Sequence, residues 1–329
     1  MRDLVRSALI IGATALFAGC GGSQPIGQTA SPQLQGDAIS TPLPGGPMSD
    51  RASRPRPRYP RRSHALLYVA DDYFPAIDIF PLTGPNRKQI GSISNGVDYP
   101  WGLSVDSNNS LYVANGGYGS GTVTVYPYGS TSPSMTYSPM YRALYALADS
   151  AGHVFVSGYN RHHLGHVLEF NAGRNHVIAQ QQLGSETDGI AEDGQGNLYV
   201  AYRGLGKLRK SSIAEFGPGL KSKRHLDMKI DQPQGLLVDR AGNIVVVEST
   251  ADRIDVFPPG ATTPSVTVTI FGIGNLAELA MQNSETTLWV SSEGGLVYSM
   301  PYPLTPSTVP TEYERISGES NGIAVNPYL

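Results

Sequence analysis

The stretch Pro233 to Pro258, PQGLLVDRAGNIVVVESTADRIDVFP, recurs in worn form at a period of about 42–46 residues. No other feature constrains the fold as tightly, because a fixed period of that length marks a stack or ring of one supersecondary unit. Within this copy, Gly235-Leu236-Leu237-Val238 is a short apolar run between Pro233 and Asp239. Asp239-Arg240-Ala241-Gly242-Asn243 carries turn chemistry, and Gly242 can take positive φ at little cost. Ile244 to Val247 is four β-branched residues, which predicts a strand covered on both faces. Arg253 to Phe257 alternates polar and apolar, which predicts a half-buried strand ended by Pro258. Ser265 to Ile270 alternates again as a fourth strand.

The second strands of the copies begin at Leu67, Leu111, Val154, Leu198, Ile244 and Leu288. The third strands end in a large side chain at one register: Phe80, Tyr126, Phe170, Phe216, Phe257 and Met300. Six four-stranded units in a ring make an all-β, six-bladed β-propeller. The first unit, from Leu66, lacks its inner strand, while Asn321 to Asn326 is an inner strand without its outer three. Pairing the two closes one blade from both termini and removes the free edge of an open ring.

Pro-x-Gly-Leu-x-Val-Asp, a Gly-Asn turn, an apolar strand and a third strand ending in Phe resemble the NHL repeat. The likeness is good at 233–258 and 100–127, fair at 187–217 and weak at 276–301. NHL-type and gluconolactonase-like propellers share this look and include scaffolds, lyases and hydrolases, so the fold narrows function poorly.

Three segments differ in composition. Residues 1–20 carry Arg2 and Arg6, an apolar stretch from Ser7 to Ala18, and then Leu16-Phe17-Ala18-Gly19-Cys20. Twelve apolar residues are too few to span a bilayer as a helix. The segment resembles a bacterial lipoprotein signal, which implies lipid on Cys20 and an extracytoplasmic protein anchored in the cell envelope. Gly21 then implies the outer membrane where two membranes are present. Cys20 is the one cysteine of the chain, so no intrachain disulfide forms. Residues 21–63, rich in Gly, Ser, Pro and Arg, predict a disordered tether. The propeller is expected over 64–329, which holds 16 of the 24 basic and 24 of the 27 acidic side chains. An acidic domain argues against nucleic acid as its partner.

In such blades, the loop entering the first strand and the loop between the second and third strands share a face. The residue opening each first strand is Trp101, Leu144, Asp188, Gln234, Glu278 or Asn321. Four of these offer side-chain oxygens in succession, as a hard cation such as calcium requires. Thr187-Asp188-Gly189-Ile190 and Ser320-Asn321-Gly322-Ile323 resemble segments that bear metal ligands in the gluconolactonase-like family. That resemblance implies Asp188 and Asn321 as ligands, and Glu278 joins them on position alone. A solvated rim is the plainer expectation. The long loops NGGYGSG, GYNRHHLG and YRGLGKLRKS place Tyr118, Tyr159, Arg161, His162, His163, His166, Tyr202, Arg203 and Lys207 on the same face. Tyrosine and arginine are favoured where proteins bind partners, and Trp101 at the mouth is placed to stack a ligand. Three nearby histidines raise a zinc site, which needs three or four converging donors. Arg209, Lys210, Lys221, Lys223, Arg224 and Lys229 gather positive charge on one blade's outer strands.

Gly318-Glu319-Ser320-Asn321-Gly322 matches the letters of a nucleophile elbow but leads into a strand, where that motif needs a helix. The expected molecule is a monomeric, membrane-anchored binding module with no catalytic residues. Its ligand is a protein or small molecule. A divalent-metal-dependent hydrolase, lactonase or lyase of gluconolactonase-like type is the alternative, and a purely structural envelope module is a third class.

Overall fold

The computed structural model describes residues 65–82, 88–204, 210–271, 274–316 and 318–326. Cys20, the arginine-rich segment before Ala65, Lys207 and Arg209 lie outside the described residues.

Six antiparallel four-stranded sheets form the six blades. Blade one joins β24 (Ile323–Val325) to β1 (Leu66–Asp71), β2 (Ala76–Pro81) and β3 (Gly91–Ile93). Each later blade takes four consecutive strands, beginning with the inner strands β4 (Pro100–Val105), β8 (Arg142–Ala148), β12 (Glu186–Glu192), β16 (Pro233–Val238) and β20 (Leu276–Met281). The two ends of the domain meet as expected. Leu67 faces Val325, Tyr68 faces Ala324 and Val69 faces Ile323. The ladder extends through Ala70 N–H to the Gly322 carbonyl, 2.9 Å, and Asn326 N–H to the Leu66 carbonyl, 2.9 Å.

Second strands begin at Leu111, Val154, Leu198 and Ile244 as predicted, and one residue early, at Leu66 and Thr287, in blades one and six. Every large residue closing a third strand is buried, from Phe80 and Tyr126 to Phe257 and Met300. These side chains fill the wedge between adjacent blades. In the turns on one face, Asp106, Asp149, Asp193 and Asp239 each accept backbone N–H groups of residues ahead of them. An aspartate can bond its own backbone this way, which is why it opens these turns. Gly242 sits at φ 79° in its turn.

One strand departs from expectation. Arg253 to Phe257 is buried on both faces apart from Arg253 and its alternation misleads, because Asp255 is fully buried. Arg253 Nε lies 3.0 Å from Asp255 Oδ2, and Thr267 Oγ1 donates to Asp255 Oδ1 at 2.5 Å. A buried carboxylate persists where it is paired and hydrogen-bonded.

Candidate functional site

The inner strands carry bulges where they open. Pairing skips from Pro100 to Leu103, Thr187 to Ile190, Pro233 to Leu236 and Leu276 to Leu279, and β8 skips Leu144. A bulge leaves its residue unpaired and re-aims its side chain. Three of the four two-residue bulges end in glycine, and packing explains it. A Cβ on Gly189 would meet the Gln234 carbonyl and Leu236 N, and one on Gly235 would meet Ala277 and Glu278. Gly102 abuts Leu144 and Gly322 abuts Trp101 in the same way. Each inner strand thus opens against the backbone of the next around the axis.

This register corrects one expectation. Glu278 is the second residue of its bulge, the place glycine holds in blades two, four and five, while Ala277 takes the position of Asp188 and Gln234. Glu278 still belongs to the axial cluster, since the charge of Asp188 acts on it and its own charge acts on Tyr145.

The ring is no solvated rim. Asp188, Gln234, Glu278 and Asn321 are 2%, 5%, 4% and 3% exposed. Both Asp188 oxygens, Gln234 Oε1 and Asn321 Oδ1 are buried without a hydrogen-bond partner. Arg203 Nε stands 3.3 Å from Asp188 Oδ2 and supplies its counter-charge, and Arg203 Nη1 stands 3.1 Å from Glu186 Oε2. Burial pushes the Asp188 carboxyl up, against the pull of Arg203. Burial pushes Glu278 well above the carboxylate range, although its Oε1 accepts Leu279 N–H at 3.0 Å. Asn321 Nδ2 donates to Asp72 Oδ2 at 3.0 Å. Below the ring, Leu103, Tyr145, Ile190, Leu236, Leu279 and Ile323 line an axial cavity of about 320 Å³ that extends toward the turn face.

Beside the ring sits a residue that sequence reasoning missed. The Arg142 guanidinium lies 4.5 Å from the ring centres of Trp101 and Tyr118 and 5.9 Å from that of Tyr159. Its Nη1 donates to the Tyr118 hydroxyl at 2.9 Å and the Tyr159 hydroxyl at 3.0 Å, while Nε is buried without a partner. Tyr141 stands 6.5 Å from both Tyr118 and Tyr159. Two adjacent blades therefore deliver one arginine in an aromatic box. Trp101, expected to stack a ligand, already stacks this arginine.

The remaining loop residues scatter. His163 stacks on Tyr159 at 5.2 Å, and His162 Nε2 accepts from Arg161 Nε at 3.3 Å. His166 lies in β10 (Gly165–Phe170), half-buried, with Nε2 3.1 Å from Asn160 Nδ2, and burial lowers its pKa. Tyr202 and Arg203 end β13 (Leu198–Arg203) rather than occupying the loop. The Tyr202 hydroxyl turns outward to His225 Nδ1, 2.8 Å. Among the described residues no three His, Cys, Asp or Glu side chains converge as metal ligands, so the histidines do not assemble a zinc set. Ser320 is buried just ahead of β24 and its Oγ has no partner. Lys221, Lys223 and Arg224 lie on the exposed strand β15 (Lys221–His225), with Arg224 paired to Glu215.

No family model and no curated protein matches the chain. Solved structures do. A chain of a nidogen/laminin complex is 14% identical, covers 80% of this chain and 98% of its own, and superposes with a TM-score of 0.61. A Bacteroides caccae protein of unknown function is 12% identical, covers 81% and 100%, and gives 0.56. Kuenenia stuttgartiensis hydrazine synthase is 10% identical, covers 73% and 81%, and gives 0.57. At these identities the likeness is one of fold.

Proposed function

We propose that this chain is a lipid-anchored, extracytoplasmic binding module. It holds a ligand or protein on the face that carries Arg142. The observation that carries this reading is the aromatic box. Trp101, Tyr118 and Tyr159 hold a guanidinium beside a buried ring of oxygens, and none of these groups is needed to close a blade. Arginine and aromatic side chains that converge from separate elements suit recognition. The propeller fold, shared with a chain of a nidogen/laminin complex, is compatible with such a module. Lipid on Cys20 would hold the module at the membrane, outer or single.

The test is a photoactivatable amino acid placed at Tyr118 of the full chain in cells. It is expected to yield a discrete adduct, and the same group at Gln195, in a turn of the opposite face, none. Arg142→Ala should abolish the adduct, and Cys20→Ser should release the chain from the membrane. Equal yields at both positions, or none at either, overturn the reading.

A second reading rests on the unpaired oxygens of Asp188, Gln234 and Asn321. Amide and carboxylate oxygens suit calcium, while the Arg203 guanidinium beside Asp188 must give way to it. Asp188, Glu278 and Asn321 would hold the ion, which would polarise a substrate carbonyl as a Lewis acid in a gluconolactonase-like reaction.

A further inference from the structure

The binding face is chemically lopsided. Its exposed tyrosine and phenylalanine side chains are Tyr73, Phe74, Tyr99, Tyr118 and Phe271, between 46% and 85% exposed. Among the described residues, no other Tyr or Phe is so exposed anywhere on the molecule. All five stand in loops on this one face, and four of them stand in the loops of blades one and two. Tyr73 and Phe74 meet edge-to-face, with ring centres 4.8 Å apart. Aromatic rings left in water on one side of a fold mark a contact surface.

Charge follows the same division. Glu293, Glu319, Asp72 and Asp98 lie in loops of blades six, one and two. The residues 72–75, 94–99, 116–121, 293–295 and 318–321 include no lysine, arginine or histidine, and the exposed Arg315, opposite Leu296 at this rim, has Glu312 at 3.7 Å. The basic residues Arg161, His162 and Lys210 lie across the face in blades three and four. Within the acidic part, Asp72 N–H donates to the Glu319 carbonyl at 3.3 Å, and burial, then the charges of Glu319 and Asp71, push the Asp72 carboxyl up. Asn321 links Asp72 inward, and its own Oδ1, like Gln234 Oε1, is buried without a donor. Behind the two carboxylates, the way to the axis therefore holds two unpaired amide oxygens, those of Asn321 and Gln234. Two carboxylates at one spot ask for a positive charge.

We infer that this face binds an extended basic segment of a partner protein, with a guanidinium or ammonium group seated between Asp72, Glu319 and the axial oxygens. The inference rests on the reading of this face as the binding face. The aliphatic stems of arginine or lysine would lie over Tyr73, Phe74 and Phe271, as such stems cover apolar surface while the head group stays with its acceptors. A cation near these rings is also attracted to their faces. No third His, Cys, Asp or Glu among the described residues closes on Asp72 and Glu319 as a metal site. A side chain of a partner can bring a positive charge to this spot. The basic half of the same face sets the direction of the segment, since it repels the same charges.

The test uses the full chain in detergent and two labelled nonapeptides, one alternating arginine and glycine, the other alternating glutamate and glycine. Fluorescence anisotropy should show salt-sensitive binding of the first and none of the second. The double variant Asp72→Asn, Glu319→Gln should weaken the arginine probe at least tenfold. Glu312→Gln with Glu314→Gln, on the outer strand β23 (Thr311–Arg315), removes the same charge and should leave it unchanged. Tyr73→Ser with Phe74→Ser should weaken it without lowering the melting temperature. Equal loss in both charge variants would mean attraction to net charge alone and would overturn the inference, as would failure of both peptides. If neither peptide binds while Tyr118 still gives its adduct in cells, the face binds and the basic ligand alone is wrong.

Discussion

Asp72 sits half-buried beside two other carboxylates, and its titration reads that crowding directly. Burial first, then the charges of Glu319 and Asp71, push its pKa up to about 6. The folded chain therefore holds a proton that the unfolded chain has released. Stability from this group is full below the ordinary value of 3.8 and is lost as pH rises to about 6. Asp72→Asn keeps the neutral form at every pH. Its denaturation midpoint should match that of the parent near pH 4 and exceed it above pH 6, with Asn321 still hydrogen-bonded. A constant difference between the two across that range would contradict the assignment. Arg142 makes a different point at this scale. Its neighbours in sequence, Tyr141 and Ala143, carry no motif, and its box is built by Trp101 and Tyr118 from the preceding blade. A guanidinium surrounded laterally cannot be read along a chain, since the convergence exists only once the ring is closed. The one available signal was an arginine two places before Leu144, where the inner strand opens without a polar residue.

At the scale of elements, β24 is three residues long yet seals blade one. Ile323, Ala324 and Val325 are all buried, and burying Ile or Val contributes about 1.5–3 kcal/mol each. Removing the strand also strips the β1 ladder and opens an edge. Ending the chain after Gly318 should abolish the cooperative thermal transition followed by circular dichroism. A truncated chain that melts with the parent would show that the ring does not depend on its closure. Strands of this kind were legible because they repeat. Six copies of one pattern allow a weak strand such as 288–292 to be placed by its neighbours, and the large residue closing each third strand sets the register. Bulges were not legible. Glu278 looks equivalent to Asp188 in the alignment of repeats, and only the pairing of Leu276 with Ser292 and Leu279 with Val290 shows it one place later. Burial of Asp255 escaped for a related reason, since a paired charge in the core looks like an exposed one until Arg253 and Thr267 are seen beside it.

For the molecule as a whole, an ion on Asp188, Glu278 and Asn321 would tie blades four, six and one across the axis. A ligand that binds only the folded chain stabilises it by roughly 2.7 kcal/mol at a hundredfold excess over its dissociation constant. After chelation, the full chain should then melt several degrees higher with calcium, and Asp188→Ala should erase the rise. An unchanged melting temperature would leave the binding-module reading alone. Blade one has a mechanical side as well. β1 is the first described strand, and it lies between β24 and β2 rather than at an edge. Tension arriving through Ala65 would load two ladders together. Peeling one strand from a margin breaks its bonds in sequence, whereas drawing out a flanked strand strains both sides at once. If lipid on Cys20 does anchor the chain, the propeller would be hard to pull open from that end.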